Sequence, residues 1–187
     1  MASIRSFLSI SASPQLRNRA ASLIEDLQSI PSGVKWEHPE KLHLTLKFFG
    51  SVEESLLKDF GETLKPRVSG LESFTLTYSG LGAFPSLDHP RIFWIGAEPS
   101  DDLLRLVSVI EEVSTSFGLP SEERRFHAHI TIGRVKGTRN LNRLTAMVKS
   151  VTLQPTVARC SEICIMKSVL HPTGSQYAVV QSIPLKS

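Results

Sequence analysis

The sequence predicts an α+β fold of two pseudo-twofold-related lobes, each an antiparallel sheet backed by helices, with a groove between them. Three observations carry that expectation. The pattern His-x-Thr-x occurs twice, as His43-Leu44-Thr45-Leu46 and His129-Ile130-Thr131-Ile132. Ser9-Ile10-Ser11-Ala12-Ser13-Pro14 aligns with Trp94-Ile95-Gly96-Ala97-Glu98-Pro99 at an offset of 85, close to the 86 residues (129 minus 43) between the histidines. Strand-like and helix-like patterns also follow one another in the same order in both halves of the chain, roughly 1–80 and 81–187.

The elements are justified in order. Residues 4–12 read as a strand, and 15–29 carry Leu16, Ala20, Leu23, Ile24 and Leu27 at helical spacing before a turn at Pro31-Ser32-Gly33. The His43 strand runs to about Phe49, where Gly50 is expected to break it. Leu56, Leu57, Phe60 and Leu64 then mark a second helix, and residues 73–79 alternate with period two. In the second half, Arg91 to Ala97 reads as a strand. Leu103, Leu104, Val107, Ile110, Val113 and Phe117 line a helix that Gly118-Leu119-Pro120 stops. The His129 strand follows, then a shorter helix with Leu141, Leu144 and Val148, then strand-like runs near 160–168 and 176–183.

At 187 residues, 41% hydrophobic and 21% charged, the chain has the size and composition of one globular domain rather than a disordered segment. Its formal charge of +3 mildly favours an anionic partner. Cys160 and Cys164, the only cysteines, make neither a zinc ribbon nor a disulfide framework and are expected as buried free thiols. No apolar run reaches the roughly 18 residues of a membrane helix, and the start at Met1-Ala2-Ser3-Ile4-Arg5 lacks the apolar stretch of a signal peptide. A cytoplasmic monomer with no membrane contact is expected.

Strand alternation gives the motifs their meaning. Along an extended strand, alternate side chains share a face about 6.5 to 7 Å apart, so each copy aims one imidazole and one hydroxyl the same way. Leu44, Leu46 and Phe48 are expected on the core face of the first copy, with His43, Thr45 and Lys47 opposite. Ile130 and Ile132 are expected on the core face of the second, with His127, His129 and Thr131 opposite. Strict alternation would send Arg134 into the core, so the strand is expected to end or bulge there and release it into the groove.

Two lobes facing each other would therefore join two groups able to move protons near neutral pH with two able to hydrogen-bond an anion. That set suits concerted general acid and base catalysis on a phosphate ester, with the threonines holding non-bridging oxygens. A strained cyclic phosphate is the easiest such substrate without a metal, and acyl transfer fits less well for want of a poised Ser or Cys. His127-x-His129 raises a metal reading. Its missing third ligand, with Lys41 at the matching position, argues against it. His38, His89 and His171 each precede a proline and read as loop histidines. Arg124 and Arg125, before the second motif, read as solvated. No P-loop, dinucleotide fingerprint or Gly-x-Ser-x-Gly elbow appears. The residues alone leave open which histidine is acid and which is base.

An ordered set of segments resembles a known family. It comprises Phe7-Leu8-Ser9-Ile10, Trp36, Leu42 through Gly50, Gly82-Ala83-Phe84-Pro85, Arg91 through Gly96, and Phe126 through Arg134. Together these resemble the two-histidine phosphoesterase superfamily, and within it the bacterial and archaeal 2'-5' RNA ligase family, whose members are RNA 2',3'-cyclic phosphodiesterases. The resemblance implies hydrolysis of a terminal 2',3'-cyclic phosphate to a 2'-phosphate in an active-site groove, and a capacity for 2'-5' RNA joining. No cofactor or metal is implied, and the partners are RNA ends or nucleotides bearing the cyclic phosphate. It further implies that His43 is the proton donor, His129 the proton acceptor, Thr45 and Thr131 the phosphate ligands and Arg134 an assisting cation, with Lys47 added from its strand face. Ala128 stands where the family usually has proline, and Ser9 and Ser11 lie in a strand that is usually more apolar. A non-catalytic mononucleotide-binding module of the same fold is the alternative reading.

Overall fold

In a computed structural model that describes residues 3–122, 124–171 and 174–187, four helices lie against one curled antiparallel sheet. Among the described residues the strands are β1 (Ser3–Ser11), β2 (Val34–Trp36), β3 (His43–Glu53), β4 (Phe74–Phe84), β5 (Ile92–Ala97), β6 (His129–Val135), β7 (Thr156–Cys160), β8 (Glu162–His171) and β9 (Gly174–Pro184). Their order is β7-β4-β5-β6-β3-β1-β8-β9, with β2 paired to β6. The two motif strands, β3 and β6, are neighbours at the centre, and each half of the sheet extends outward from one of them.

The sequence repeat and the spatial halves do not coincide. β4 begins in the first half, runs across the boundary and pairs with β5 and β7, while β8, from the end of the chain, pairs back onto β1 and carries β9 with it. Each half of the chain thus lends strands to the other side of the sheet, and the fold cannot be cut into two independent lobes at residue 80.

The helices are α1 (Pro14–Gln28), α2 (Glu54–Val68), α3 (Asp101–Ser116) and α4 (Leu141–Ser150). α1 and α3 start alike. Ser13 Oγ accepts from the Leu16 amide and Ser100 Oγ from the Leu103 amide, both at 3.2 Å, so each satisfies an amide that the first turn would leave unpaired. Their apolar stripes, Leu16-Ala20-Leu23-Ile24-Leu27 and Leu103-Leu106-Ile110-Val113, bury fully against the sheet. Leu44 and Ile130 point to that same side, completely buried. Burial of this face holds both motif strands, since covering one leucine-sized side chain is worth about 1.5–3 kcal/mol.

Two expectations about β3 are corrected. Gly50 does not end the strand. With φ at +75° it occupies a left-handed conformation that glycine adopts at little cost, and β3 continues to Glu53 beyond an irregularity in its pairing with β1. Phe48 is not in the core but 57% exposed, because the alternation has already been broken upstream. β2 and a single 3-10 turn at Pro39–Lys41 also precede β3 unannounced. Three residues of β-structure carry too short a pattern to read.

Cys160 and Cys164 are buried and free, and burial pushes the Cys160 thiol up to about 12. No helix is long and apolar enough to cross a membrane among the described residues. His171, expected in a loop, instead ends β8, while Pro172 after it lies outside the described residues.

Candidate active site

β3 and β6 pair antiparallel with Leu44 opposite Ile130. Continuing that register by one residue sets His43 opposite Thr131 and Thr45 opposite His129, all on the face away from the helices. Each histidine is then flanked across the strands by the other motif's threonine.

Each imidazole is fixed by its own strand. His43 Nδ1 donates to the Lys41 carbonyl and His129 Nδ1 to the His127 carbonyl, both at 2.7 Å. A carbonyl can only accept, so Nδ1 carries the proton and Nε2 remains available to a ligand. Burial lowers the pKa of both histidines below 6.5, and the backbone hydrogen bond opposes this in each case. Among neighbouring charges, Glu37 raises His43 while Arg134 and His129 lower it, and His127 and then Arg134 lower His129, so Arg134 bears on both histidines. Among the described residues neither threonine hydroxyl has a partner within the protein.

A bulge falls at the last residue of each motif. Leu8 faces Lys47 and Ser9 faces Thr45, which leaves Leu46 as the extra residue. Phe93 faces Gly133 and Trp94 faces Thr131, which leaves Ile132 as its counterpart. In β6 the bulge reverses the phase of the strand beyond it, as expected for Arg134. Arg134 emerges on the groove side and pairs with Glu37, Nε to Oε1 at 3.3 Å.

In β3 the same device overturns the expectation for Lys47. The bulge at Leu46 rotates Lys47 to the helix side, where it is 4% exposed and its Nζ donates to Glu111 Oε2 at 2.7 Å, Glu111 Oε1 at 2.9 Å and the Pro120 carbonyl at 2.7 Å. All three ammonium donors are engaged, and Lys47 is a strut between β3 and α3, not a groove residue. His127 is exposed beside His129, with ring centroids 5.8 Å apart. No group of three His, Cys, Asp or Glu able to hold a metal ion occurs among the described residues.

Aromatic walls flank both histidines. Phe7 stacks on His43 at 4.7 Å and Tyr177 meets it edge-on at 5.3 Å; Phe84 meets His129 edge-on at 4.9 Å, and Trp94 lies 4.9 Å from His127. A Cβ on Gly82 would collide with the Trp94 indole, so the glycine makes room for that wall. Sequence reasoning gave none of these aromatic residues, nor Glu37, a role. The signal available was that Phe7, Phe84 and Trp94 lie in the segments that resemble the family.

A curled antiparallel sheet with one His-x-Thr motif on each of its two central strands defines a two-histidine phosphoesterase. The 2'-5' RNA ligase superfamily profile matches residues 13–171, and the chain belongs to that family. It is 33% identical to an RNA 2',3'-cyclic phosphodiesterase of Thermotoga maritima, covering 95% of this chain and 93% of the relative. A protein of the same name from Methanothermobacter thermautotrophicus is 31% identical, covering 93% and 95%. Among solved structures, a protein of Thermus thermophilus superposes with a TM-score of 0.77 at 26% identity, covering 98% of each chain. LigT of E. coli in its apo form superposes at 0.78 with 22% identity over the full length of both, a likeness of fold.

Proposed function

We propose that this chain opens a 2',3'-cyclic phosphate at an RNA end, or on a free nucleotide, to the 2'-phosphate without a metal. In this reaction His129 takes a proton from water as the water oxygen bonds to phosphorus. The P–O3' bond breaks on the opposite side, and His43 gives its proton to the departing O3'. Thr45, Thr131 and Arg134 bind the non-bridging oxygens, where negative charge must be held during transfer. With the 5'-hydroxyl of a second RNA in place of water, the same displacement forms a 2'-5' linkage. The joining activity therefore needs no second site.

The observation that carries this reading is the register of β3 on β6, with each His-x-Thr motif facing its counterpart and each Nδ1 anchored to the backbone. The activity named for the Thermotoga and Methanothermobacter relatives is the one this chemistry suits.

The test is to incubate the purified protein, with EDTA, with a cyclic-phosphate-ended oligonucleotide and to read the product by phosphorus NMR. A 2'-phosphate is expected. A 3'-phosphate would reverse the leaving oxygen, activity lost to chelator would require a metal, and binding without turnover would leave a nucleotide-binding module.

A further inference from the structure

The groove holds a carboxylate that neither motif accounts for. Glu37 follows β2 directly, and its amide donates to the Ile132 carbonyl at 2.8 Å. Ile132 is the extra residue of the β6 bulge, the same feature that turns Arg134 to the groove side. One backbone irregularity therefore fixes both partners of the Glu37–Arg134 pair. The carboxylate is the more sheltered of the two, with 25% of its side chain exposed against 45% for Arg134.

The pairing leaves the reactive end of the guanidinium open. Arg134 Nε donates to Glu37 Oε1 at 3.3 Å, and neither Nη group has a hydrogen-bond partner among the described residues. A guanidinium held by Nε keeps the edge formed by its two Nη groups for two oxygens of one anion.

A negative charge beside an anion site costs affinity, and here the cost falls unequally. A 2',3'-cyclic phosphate carries one negative charge, whereas the 2'-phosphate formed from it carries nearly two at neutral pH, because its second pKa is about 6. Coulomb repulsion scales with charge, so Glu37 opposes the product about twice as strongly as the substrate. The same carboxylate also acts on one histidine. It raises His43 against the lowering effect of Arg134 and His129, while His129 itself is moved by His127 and Arg134.

We propose that Glu37 is a positioning residue of the phosphate site, aiming the Nη edge of Arg134 at two non-bridging oxygens and favouring departure of the doubly charged product. The inference rests on the phosphodiesterase reading and deepens it. It gives the groove one acid whose neutralisation strengthens anion binding, an effect that a residue serving only the fold would not have.

The test compares wild type, Glu37→Gln and Glu37→Ala by calorimetric titration of adenosine 2'-monophosphate and inorganic phosphate, with turnover of adenosine 2',3'-cyclic monophosphate followed across pH. Glutamine keeps an oxygen for Arg134 Nε and removes the charge. It is expected to tighten the 2'-phosphate about three- to tenfold and to lower KM for the cyclic substrate by less. The alkaline limb of kcat/KM should move to lower pH, since His43 loses the charge that raised it while Arg134, His129 and the Tyr177 phenol still face it. Glu37→Ala also frees the guanidinium and is expected to lower kcat about tenfold through misplacement. Unchanged or weaker binding of both anions in Glu37→Gln, or wild-type kcat in Glu37→Ala, would overturn the assignment. A shift of the acidic limb instead would support the pair and reverse the roles of the histidines. Tighter 2'-phosphate in Glu37→Gln without turnover in wild type would support the placement of Glu37 and sink the catalytic reading alone.

Discussion

His43 and His129 are held by backbone, not by a charged neighbour. Each Nδ1–H is tied to the carbonyl two residues upstream, which fixes the tautomer and directs Nε2 to the groove. Burial disfavours the imidazolium in both, so both pKa values lie below 6.5. The consequence for rate follows from the sign. The base must be neutral and the acid protonated, so as pH rises through neutrality the base is ready while the acid form disappears. A bell-shaped kcat/KM profile with its maximum on the acid side of pH 6.5 is expected for a 2',3'-cyclic nucleotide, since kcat/KM reports the free enzyme. A plateau extending into the alkaline range would contradict it. His129→Ala should remove the acidic limb, because that limb is the protonation of the base.

At the scale of elements, the paired bulges at Leu46 and Ile132 decide which side chains the groove receives. Lys47→Ala should lower stability by about 2–3 kcal/mol, because it strips three hydrogen bonds from a buried strut while Glu111 remains partly able to reach water. Urea unfolding should register that loss with kcat/KM unchanged within about threefold, whereas a tenfold rise in KM at wild-type stability would return Lys47 to the substrate. Gly82→Ala should displace the Trp94 indole and with it the wall around His127 and His129. A fall of about ten- to hundredfold in kcat/KM is expected from such misplacement, with shifted Trp94 emission when read in a Trp36→Phe background; wild-type emission and kinetics together would refute the wall's role. The helices were legible because Leu16 through Leu27 and Leu103 through Val113 bury one periodic stripe each. The motif faces at His43 and Thr45 were legible through the period of two. What lay beyond each bulge was not, because one extra residue reverses every later side chain without a mark in the composition, and Lys47 and Phe48 were misplaced for that reason. The aromatic walls come from strands distant in sequence, which no local pattern joins.

For the molecule as a whole, the repeat supplies two equivalent half-sites, and the exchange of β4 with β8 and β9 binds them into one sheet. A site made this way is rigid where it matters, since both motif strands are central and neither is an edge. It is also close to symmetric, as each motif strand presents one imidazole and one hydroxyl on the same face.

The central claim is that both histidines act on one phosphorus without a metal. The most direct measurement is single-turnover opening of a 2',3'-cyclic nucleotide in EDTA by wild type, His43→Ala, His129→Ala and the double variant. Each single change is expected to slow the chemical step by about a hundredfold or more, and the double variant to be far less impaired than the product of the two, because acid and base act as a unit. Either single variant remaining within a few fold of wild type would contradict the account.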